Sequence, residues 1–449
     1  MTTQRIQITQ LYPGTSDQHP ARRRPGQVEV AENVRFDIAN GATRRNGSDL
    51  IGSLGLSTST DWYLADFKGR YLVAISSSNV RVFDMTDGSE KAVTNTASGY
   101  SYLSSVTSED DIRTAGLLDT FVILNRNVET VFNRSEDYEV AEFVTTYDKL
   151  FEANDEDDEP DAFDPTTAPI GTVVEVLEDW KETVAGYYEK GEDSETDSTT
   201  WTIIPPPNDP NAIPDATTLP HRLVHDVDAD TFTYEVCPWR NRLSGTDTTN
   251  PAPSWAGSAI DAIAAMQGRL FLIGNSYLTS GEVAAPRRSV FNLYDYNVDN
   301  PTDADRIDYA ITDSAVGQCL YAEVVGPDLA LVCKNGLVVY TSGNDPLTAF
   351  NGRDFSIAQF PSSEGVRPGV SAGNLFVLDD NDRINWFVYN EGIRPLGQIN
   401  DHRPDILDGE TVLDLFAIGQ TLFVLTESGS VKVHERYVLP EGNQQSAWS

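Results

Sequence analysis

A single strand-turn-strand pattern recurs six times along this chain of 449 residues. Each copy has a short apolar strand, a polar turn and a second strand with alternating apolar positions, which is typical of a β-hairpin. An isolated hairpin cannot bury its apolar face, so the pattern requires a fold in which hairpins stack on one another. The copies are YLVAISSSNVRVFD at 71–84, TFVILNRNVETVFN at 120–133, LFLIGNSYLTSG at 270–281, LALVCKNGLVVYT at 329–341, LFVLDDNDRINWFVY at 375–389 and LFVLTESGSVKVHE at 422–435.

The spacing of the copies indicates one particular stack. Their first residues are separated by 49, 150, 59, 46 and 47 residues, and four of these spacings fall at roughly 45–60 residues, the period of one four-stranded propeller blade. The predicted fold class is therefore mainly β, a propeller-like array of antiparallel hairpin blades. A meandering β-sandwich is the alternative, since no WD or kelch signature is present. One stretch, 255–268, fits either a helix or a strand that enters the next hairpin.

The spacing of 150 residues indicates an insertion between the second and third hairpins. Its first part, EANDEDDEPDAFDPTTAP, is acidic and almost free of large apolar residues, as in a linker. Short strand-like stretches follow it, and they predict a small embedded β-domain. The predicted regions are an irregular N-terminal arm or docking region at 1–60, the first propeller-like blades at 61–134, an acidic linker at 135–169, an inserted β platform domain at 170–255 and the remaining propeller-like blades at 256–449.

Charge is the most unusual compositional property. The chain carries 69 acidic and 32 basic residues, a formal net charge of −37, and only seven of the basic residues are lysines. This balance excludes proteins that wrap nucleic acid with clustered cations. An acidic, lysine-poor surface suits concentrated salt, where screening removes the self-repulsion, so we predict a halophilic or marine source. A GC-rich genome combined with one acidic loop is the alternative. No secretory h-region and no apolar run long enough to span a bilayer occur, so membrane insertion is not predicted.

Two acidic or histidine patterns resemble metal sites. Asp226, Asp228 and Asp230 have the spacing of a calcium loop, but Thr231 replaces the required glycine and Glu235 comes two positions early. His221 and His225 have HxxxH spacing, but no glutamate follows the first histidine. An exposed acidic turn and structural histidines are the preferred interpretations. We therefore predict no metal and no cofactor.

Nucleophile and phosphate-binding motifs are missing as well. The sequence contains no GxSxG, P-loop or GxGxxG motif, so an enzyme is not predicted. Paired carboxylates on a propeller do occur in glycoside hydrolases, which leaves a glycan-acting protein open. Cys237, Cys319 and Cys333 form no CxxC pair and are interpreted as small core residues.

The arm concentrates positive charge in this acidic chain. HPARRRPG at 19–26 and GATRRNG at 41–47 contain five arginines, and docking onto an acidic partner surface is the functional interpretation. Arginines that only aid solubility are the alternative. The candidate docking residues are Arg22, Arg23, Arg24, Arg44 and Arg45, together with Trp448 near the end of the chain.

The same arm resembles a known family. Gly14, Ser16, Gln18 and Pro20 fit a Gly-x-Ser-x-Gln-x-Pro stretch, and Gly41 with Arg45 fits its Gly-x-x-x-Arg close. This pattern is similar to the start of the tail nozzle proteins of short-tailed phages (podoviruses), also called tail tubular protein B. Further similar blocks follow in the same order, among them DIRTAGLLDTFVILNRNV at 111–128, LPHRLV at 219–224, PSWAGSAIDAI at 253–263, INDHRPDIL at 399–407 and QQSAWS at 444–449.

The resemblance implies a structural protein of the virion tail. Nozzle proteins form a homohexameric tube below a dodecameric adaptor ring and conduct double-stranded DNA into the host during genome ejection. Partners implied in this way are further copies of the chain, the adaptor or portal-proximal ring, tail fibres, and DNA that passes through the lumen without sequence-specific binding. A propeller-type receptor-binding or glycan-acting tail protein is the alternative function.

One departure from the family concerns the C-terminus. Familiar members continue well past the segment similar to QQSAWS, so this version is shorter. We therefore expect the chain to end inside an unfinished blade that a further tail protein completes, with Trp448 as a plug for that other chain. A minimal nozzle and a frayed terminal tail are the alternatives.

Overall fold

The structure is a computed structural model, and every statement below concerns the residues that it describes. These are residues 34–37, 41–44, 51–97, 99–131, 140–144, 173–176, 186–193, 198–204, 218–239, 248–284, 290–295, 301–343, 345–399, 404–407, 409–438 and 444–448.

The fold is mainly β, and six antiparallel sheets form a six-bladed β-propeller. A hairpin of β1 (Val34–Asp37) and β2 (Gly41–Arg44) precedes it. Blade 1 consists of β3 (Tyr63–Phe67), β4 (Tyr71–Ser76), β5 (Asn79–Asp84) and β6 (Glu90–Lys91).

Blade 2 is interrupted by the insertion. The chain forms β7 (Val93–Asn95), β8 (Ile112–Leu117) and β9 (Thr120–Asn125) and then enters a separate four-stranded sheet. That sheet contains β10 (Val140–Val144), β11 (Val173–Val176), β12 (Gly186–Asp193) and β13 (Ser198–Ile204). The chain returns with β14 (His221–Asp226), which pairs with β9, and with β15 (Thr231–Val236), whose outer edge takes β7 in parallel.

The remaining four blades follow one another without interruption. Blade 3 has β16 (Ala262–Met266), β17 (Arg269–Gly274), β18 (Tyr277–Ser280) and β19 (Ile307–Ala310). Blade 4 has β20 (Cys319–Val325), β21 (Asp328–Cys333), β22 (Gly336–Thr341) and β23 (Arg353–Gln359). Blade 5 has β24 (Gly369–Ser371), β25 (Asn374–Leu378), β26 (Ile384–Tyr389) and β27 (Ile393–Gln398). Blade 6 has β28 (Val412–Ile418), β29 (Thr421–Thr426), β30 (Val431–Val438) and β31 (Gln444–Trp448).

Helical structure in the described part of the chain is limited to short 3₁₀ turns at Ser101–Leu103, Glu109–Asp111, Ser314–Val316 and Pro404–Leu407. The stretch at 255–268, which fitted either a helix or a strand, contains the strand β16. Its periodicity was ambiguous because apolar residues run together wherever a strand is buried on both faces.

Five of the six predicted hairpins are the second and third strands of a blade, which confirms the propeller prediction. These central strands read as apolar runs because each blade packs between two others: every residue of β17, β21 and β22 is buried. Apolar clusters join blades 1 and 2, 2 and 3, 3 and 4, 4 and 5, and 5 and 6.

The hairpin predicted at 120–133 is wrong in its second half. Its first half is β9, which pairs with β8 on one side, but its partner on the other side is β14, with Phe121 opposite Leu223. The third strand of this blade therefore comes from beyond the insertion, which explains the spacing of 150 residues. Two predicted boundaries change with it: the platform cannot extend to residue 255, because β14 and β15 belong to blade 2, and β10, at 140–144 in the predicted linker, belongs to the inserted sheet.

The sixth blade contradicts the expectation of an unfinished module. β31 pairs with β30 as a fourth strand, with Trp448 opposite His434. The indole of Trp448 is fully buried against blade 5, in a cluster with Phe376 and Leu422, and its Nε1 donates a hydrogen bond to the Ile399 carbonyl at 3.2 Å. Trp448 is therefore a core residue of its own chain and not a plug for another.

Candidate functional site: central cavity and turn face

The first strand of every blade faces the propeller axis, and together these strands line a cavity of about 630 Å³. The residues contributed come from β3, β8, β16, β20, β24 and β28. A volume of this size corresponds to a small-molecule pocket, which is roughly 300–1,000 Å³. The cavity of one chain is therefore too small to be a passage for double-stranded DNA.

Carboxylates and arginines share this cavity. Glu323 lies on β20, Asp414 on β28 and Arg367 two residues before β24. Burial raises the pKa of Glu323 to about 7, although Arg367 acts in the opposite direction. Burial also raises the pKa of Asp414. Incomplete solvation thus favours the protonated form of both carboxyl groups.

Two arginines tie different blades together around the cavity. The guanidinium of Arg113, on β8 of blade 2, donates from Nε to the Leu320 carbonyl of blade 4 at 2.9 Å and lies 4.0 Å from the centre of the Tyr321 ring. Arg367 donates from Nη2 to the Leu64 carbonyl of blade 1 at 3.2 Å. Burial lowers the pKa of Arg113. These hydrogen bonds connect blade 2 with blade 4 and blade 5 with blade 1 across the cavity.

None of these four charged residues was singled out from the sequence. A signal does exist for two of them, because Glu323 in CLYAEVV and Asp414 in VLDLFAI interrupt otherwise apolar strands. A charged residue in such a strand indicates that one face of the strand is not packed against the apolar side chains of another blade. For Arg113 and Arg367 the contacts are between blades distant in sequence, and a single sequence contains no sign of them.

One side of the propeller exposes large apolar residues at its turns. In a four-stranded antiparallel blade, the turn between strands 1 and 2 and the connection between strands 3 and 4 lie on the same side. We call this side the turn face. Exposed there are Leu118 (74%), Val227 (61%), Phe350 (65%) and Ile418 (65%).

Acidic residues accompany this apolar surface in blade 2. Asp226 and Asp228 flank Val227, and both are exposed. Next to Leu118, an apolar groove of about 350 Å³ between blades 2 and 3 is lined in part by Leu270 and Phe291. Exposed apolar side chains surrounded by charge are typical of a protein-protein contact.

Asp230, the last aspartate of the candidate calcium loop in blade 2, is bound by side chains of the protein itself. The Asp230 carboxylate receives Lys91 Nζ at 2.6 Å and the Tyr71 hydroxyl at 2.5 Å, and these hydrogen bonds hold its pKa well below the ordinary range. Asp230 therefore ties blade 2 to blade 1. No group of metal-ligating side chains is found among the described residues.

The two histidines of HxxxH spacing also have separate surroundings. They are four residues apart on β14, so about 13 Å separates them along the strand, too far to share a metal. His221 is stacked between Tyr102 and Tyr234, and its Nδ1 hydrogen-bonds the Leu219 carbonyl at 3.0 Å. Burial lowers the pKa of His221 to about 4, so the ring is neutral at pH 7.

The predicted docking arginines belong to the N-terminal arm. Arg22, Arg23, Arg24 and Arg45 lie outside the described residues, and Arg44 is the last residue of β2, of which only the backbone is described.

None of the described helices is long and apolar enough to cross a membrane.

Comparison with known proteins identifies the family. The sequence matches the family described as "Bacteriophage nozzle protein" over residues 1–154 and 159–383. The chain belongs to the bacteriophage nozzle protein family. It is also similar to the tail tubular protein gp12 of Escherichia phage T7, with 26% identity over 213 residues. That match covers 47% of this chain and 25% of the T7 protein, so the chain matches about a quarter of its relative's length.

Among solved structures, Kluyveromyces lactis Hsv2 is matched over 87% of this chain and 98% of that protein, with a TM-score of 0.34 and 8% identity. Human WBSCR16 is matched over 84% and 78%, with a TM-score of 0.33 and 8% identity. Both similarities are weak, and the assignment rests on the family match. Membership of this family locates the protein in the virion tail.

Proposed function

We propose that copies of this nozzle protein form a ring at the distal end of the tail of a short-tailed virus. The ring docks under the tail adaptor and conducts double-stranded DNA into the host during genome ejection. The family match over residues 1–154 and 159–383 is the observation that carries this proposal. A homohexamer is the expected oligomer, and the chain is not an enzyme.

The DNA passage in this proposal lies between copies of the chain. The cavity inside one propeller measures about 630 Å³ and is bridged by Arg113, so a duplex cannot pass there. A ring of six copies would enclose a wider lumen. Each copy carries a formal charge of −37, and such walls repel DNA phosphates, so the duplex slides through without sequence-specific binding.

The basic arm in this proposal docks onto a neighbouring acidic surface. The arm contains Arg22, Arg23, Arg24, Arg44 and Arg45. Asp226 and Asp228 on the turn face are exposed carboxylates beside an exposed apolar residue, which is the complementary chemistry. We therefore propose the turn face of an adjacent copy as the receiving surface, with the adaptor ring as a second acidic partner.

Charge reversal tests the docking directly. The triple variant Arg22→Glu, Arg23→Glu, Arg24→Glu is expected to reduce incorporation of the protein into tails on the order of tenfold or more, since like charges then face each other. The control reverses Arg383, an exposed arginine in the turn between β25 and β26 on the side opposite the turn face, and Arg383→Glu is expected to assemble normally. Incorporation is measured by immunoblot of purified particles.

A charge swap identifies the receiving surface. Asp226→Arg with Asp228→Arg should impair assembly alone and should restore it when combined with the arm triple. Docking through these residues would be contradicted if the arm triple and the Arg383→Glu control had equal defects, or if the swap did not restore assembly. Negative-stain images of the purified protein that contain only monomers at assembly concentrations would contradict the ring itself.

The charge composition also supports a proposal about the source. Sixty-nine acidic residues against seven lysines suit a halophilic or marine virus, because concentrated salt screens the repulsion between copies. Tails should then lose the nozzle when particles are transferred to low ionic strength. Retention of the nozzle in both media would contradict a halophilic origin.

A glycan-binding or glycan-hydrolysing tail protein is the second candidate, favoured by the carboxylates in the cavity. Glu323, with a pKa raised to about 7, has the property of a general acid. Oligosaccharide hydrolysis that is abolished by Glu323→Gln would support this function. Hydrolysis absent from the wild-type protein across host surface glycans would exclude the hydrolytic function, and absence of binding to the same glycans would exclude glycan binding.

A further inference from the structure

Two of the three cysteines face each other across adjacent strands. Cys319 is the first residue of β20, Cys333 is the last residue of β21, and the two are register partners. Immediately outside the pair, the Lys334 N–H donates to the Gln318 carbonyl at 2.9 Å. A hydrogen bond in this position flanks a non-hydrogen-bonded pair, in which Cα atoms are about 4.5 Å apart and side chains approach most closely. Disulfides accept Cα separations of about 4.4–6.8 Å.

Both thiols are present in the reduced form and are surrounded by apolar side chains. Cys319 and Cys333 belong to the cluster between blades 3 and 4. Each thiol hydrogen-bonds a carbonyl of its own strand, Cys319 Sγ to Tyr321 at 3.3 Å and Cys333 Sγ to Leu331 at 3.6 Å. The adjacent Cys333 thiol and burial together raise the pKa of Cys319 well above its ordinary value. Oxidation is therefore slow at neutral pH and needs no large movement of the backbone.

Cys237 provides an internal comparison. It is also free and buried, but it lies in the cluster between blades 2 and 3, away from the other two cysteines. Burial raises its pKa as well. A difference in oxidation product between Cys237 and the pair would therefore come from the register of the strands.

We propose that Cys319 and Cys333 form a dithiol site that a small hydroperoxide oxidises to a cross-strand disulfide. One thiolate sulfur attacks an oxygen atom of hydrogen peroxide, the O–O bond breaks, and the departing hydroxide takes up the proton that the thiol had lost, which gives a sulfenic acid and one water. The second thiol then attacks the sulfenic sulfur, the S–S bond forms and a second water leaves. Overall, two thiols and one hydrogen peroxide give one disulfide and two waters.

The modification would change the wall of the central cavity. β20 is the first strand of blade 4, and the disulfide would link it covalently to β21. Disulfides are rare in the reducing cytosol and persist outside it. The chain would thus assemble with free thiols and acquire the cross-link after particles leave the cell.

The experiment compares thiol content before and after mild oxidation of the folded protein. Full-length protein is incubated with hydrogen peroxide at about pH 8.5, near the pKa of an unperturbed thiol, and then denatured and alkylated with iodoacetamide. The wild type should fall from three alkylated cysteines to one, and peptide mapping should find the cross-linked pair. Dithiothreitol should restore all three. The protein should remain unchanged in size on a non-reducing gel.

Two variants serve as controls. Cys237→Ala should still lose two alkylated thiols, whereas Cys333→Ala should form no disulfide. The proposal is overturned if the wild type keeps three alkylated cysteines after prolonged incubation, or if the cysteines oxidise singly to sulfinic acid. A disulfide that includes Cys237 would overturn it as well.

Discussion

Replacing His221 should change how the stability of the propeller depends on pH. The ring is fully buried between Tyr102 and Tyr234, and its pKa is lowered by burial from 6.5 to about 4. In the unfolded chain the same histidine takes up a proton below about pH 6.5. The folded state is therefore favoured above that pH and loses this contribution as the pH falls from 6.5 through 4.

The size of the effect follows from this shift. Each pKa unit corresponds to about 1.4 kcal/mol, so the whole shift amounts to about 3 kcal/mol. By about pH 5, roughly 2 kcal/mol of it should be lost. His221→Phe keeps an aromatic ring in the same stack but cannot titrate. When the pH is lowered from about 7.5 to about 5, the free energy of unfolding of the variant should rise by about 2 kcal/mol relative to that of the wild type.

Urea unfolding followed by tryptophan fluorescence measures this difference at the two pH values. Because all other titrating groups are shared, their contributions cancel when the variant is compared with the wild type. A difference between the two proteins that stays constant over this range would refute a buried neutral His221. A difference of the opposite sign would indicate that the folded protein holds the ring in its charged form.

Three further changes have defined outcomes. Trp448→Ala should lower the free energy of unfolding by about 3–5 kcal/mol, measured by urea unfolding, and an unaffected stability would contradict the buried fourth strand of blade 6. Glu323→Gln should stabilise the protein above about pH 7 and not below pH 4.5, because the raised pKa of Glu323 costs stability as the pH increases; thermal denaturation at both ends of the range tests this. Gly326→Ala should lower the thermal stability more than Gly419→Ala does. Both glycines have positive φ, but only at Gly326 would a Cβ lie 2.8 Å from a ring atom of Tyr389. An equal loss of stability in the two variants would contradict this crowding.

The central hairpins were predictable because their cause is local. An apolar strand, a polar turn and an alternating strand, as at 71–84 and 422–435, are determined by neighbouring residues. The regular spacing then indicated blades. The innermost strands were harder to recognise, since one face lines the cavity and their patterns mix charged with apolar residues, as in β28.

Pairings between distant segments could not be predicted. β9 pairs with β14, which follows the insertion, and no local sequence pattern indicates that the pairing strand lies so far along the chain. The same limit affected Trp448. Its strand is short and polar apart from the indole, so the sequence alone did not distinguish a plug for another chain from the closing strand of a blade.

The candidate site shows a similar division. The ligands that are missing from the metal-like spacings at Asp226–Asp230 and at His221 and His225 could be read from the sequence alone. The partners of Asp230, by contrast, come from blade 1, 139 residues away in the case of Lys91. Side-chain contacts across blades follow from the closure of the ring, and only a folded structure contains them.

The position of the insertion has a mechanical consequence. Asn125 ends β9 and His221 begins β14, and His221 is paired with Ile123, so both ends of the inserted segment leave blade 2 side by side. Tension on that segment, directed away from the propeller, first breaks the backbone contacts of Glu129 and Thr130 with residues 257–259 and then loads the β9–β14 ladder from one end only. Its hydrogen bonds would then break in succession, as in a zipper, instead of resisting together as they do under shear. Blade 2 is therefore the blade that a pull on the insertion would open first.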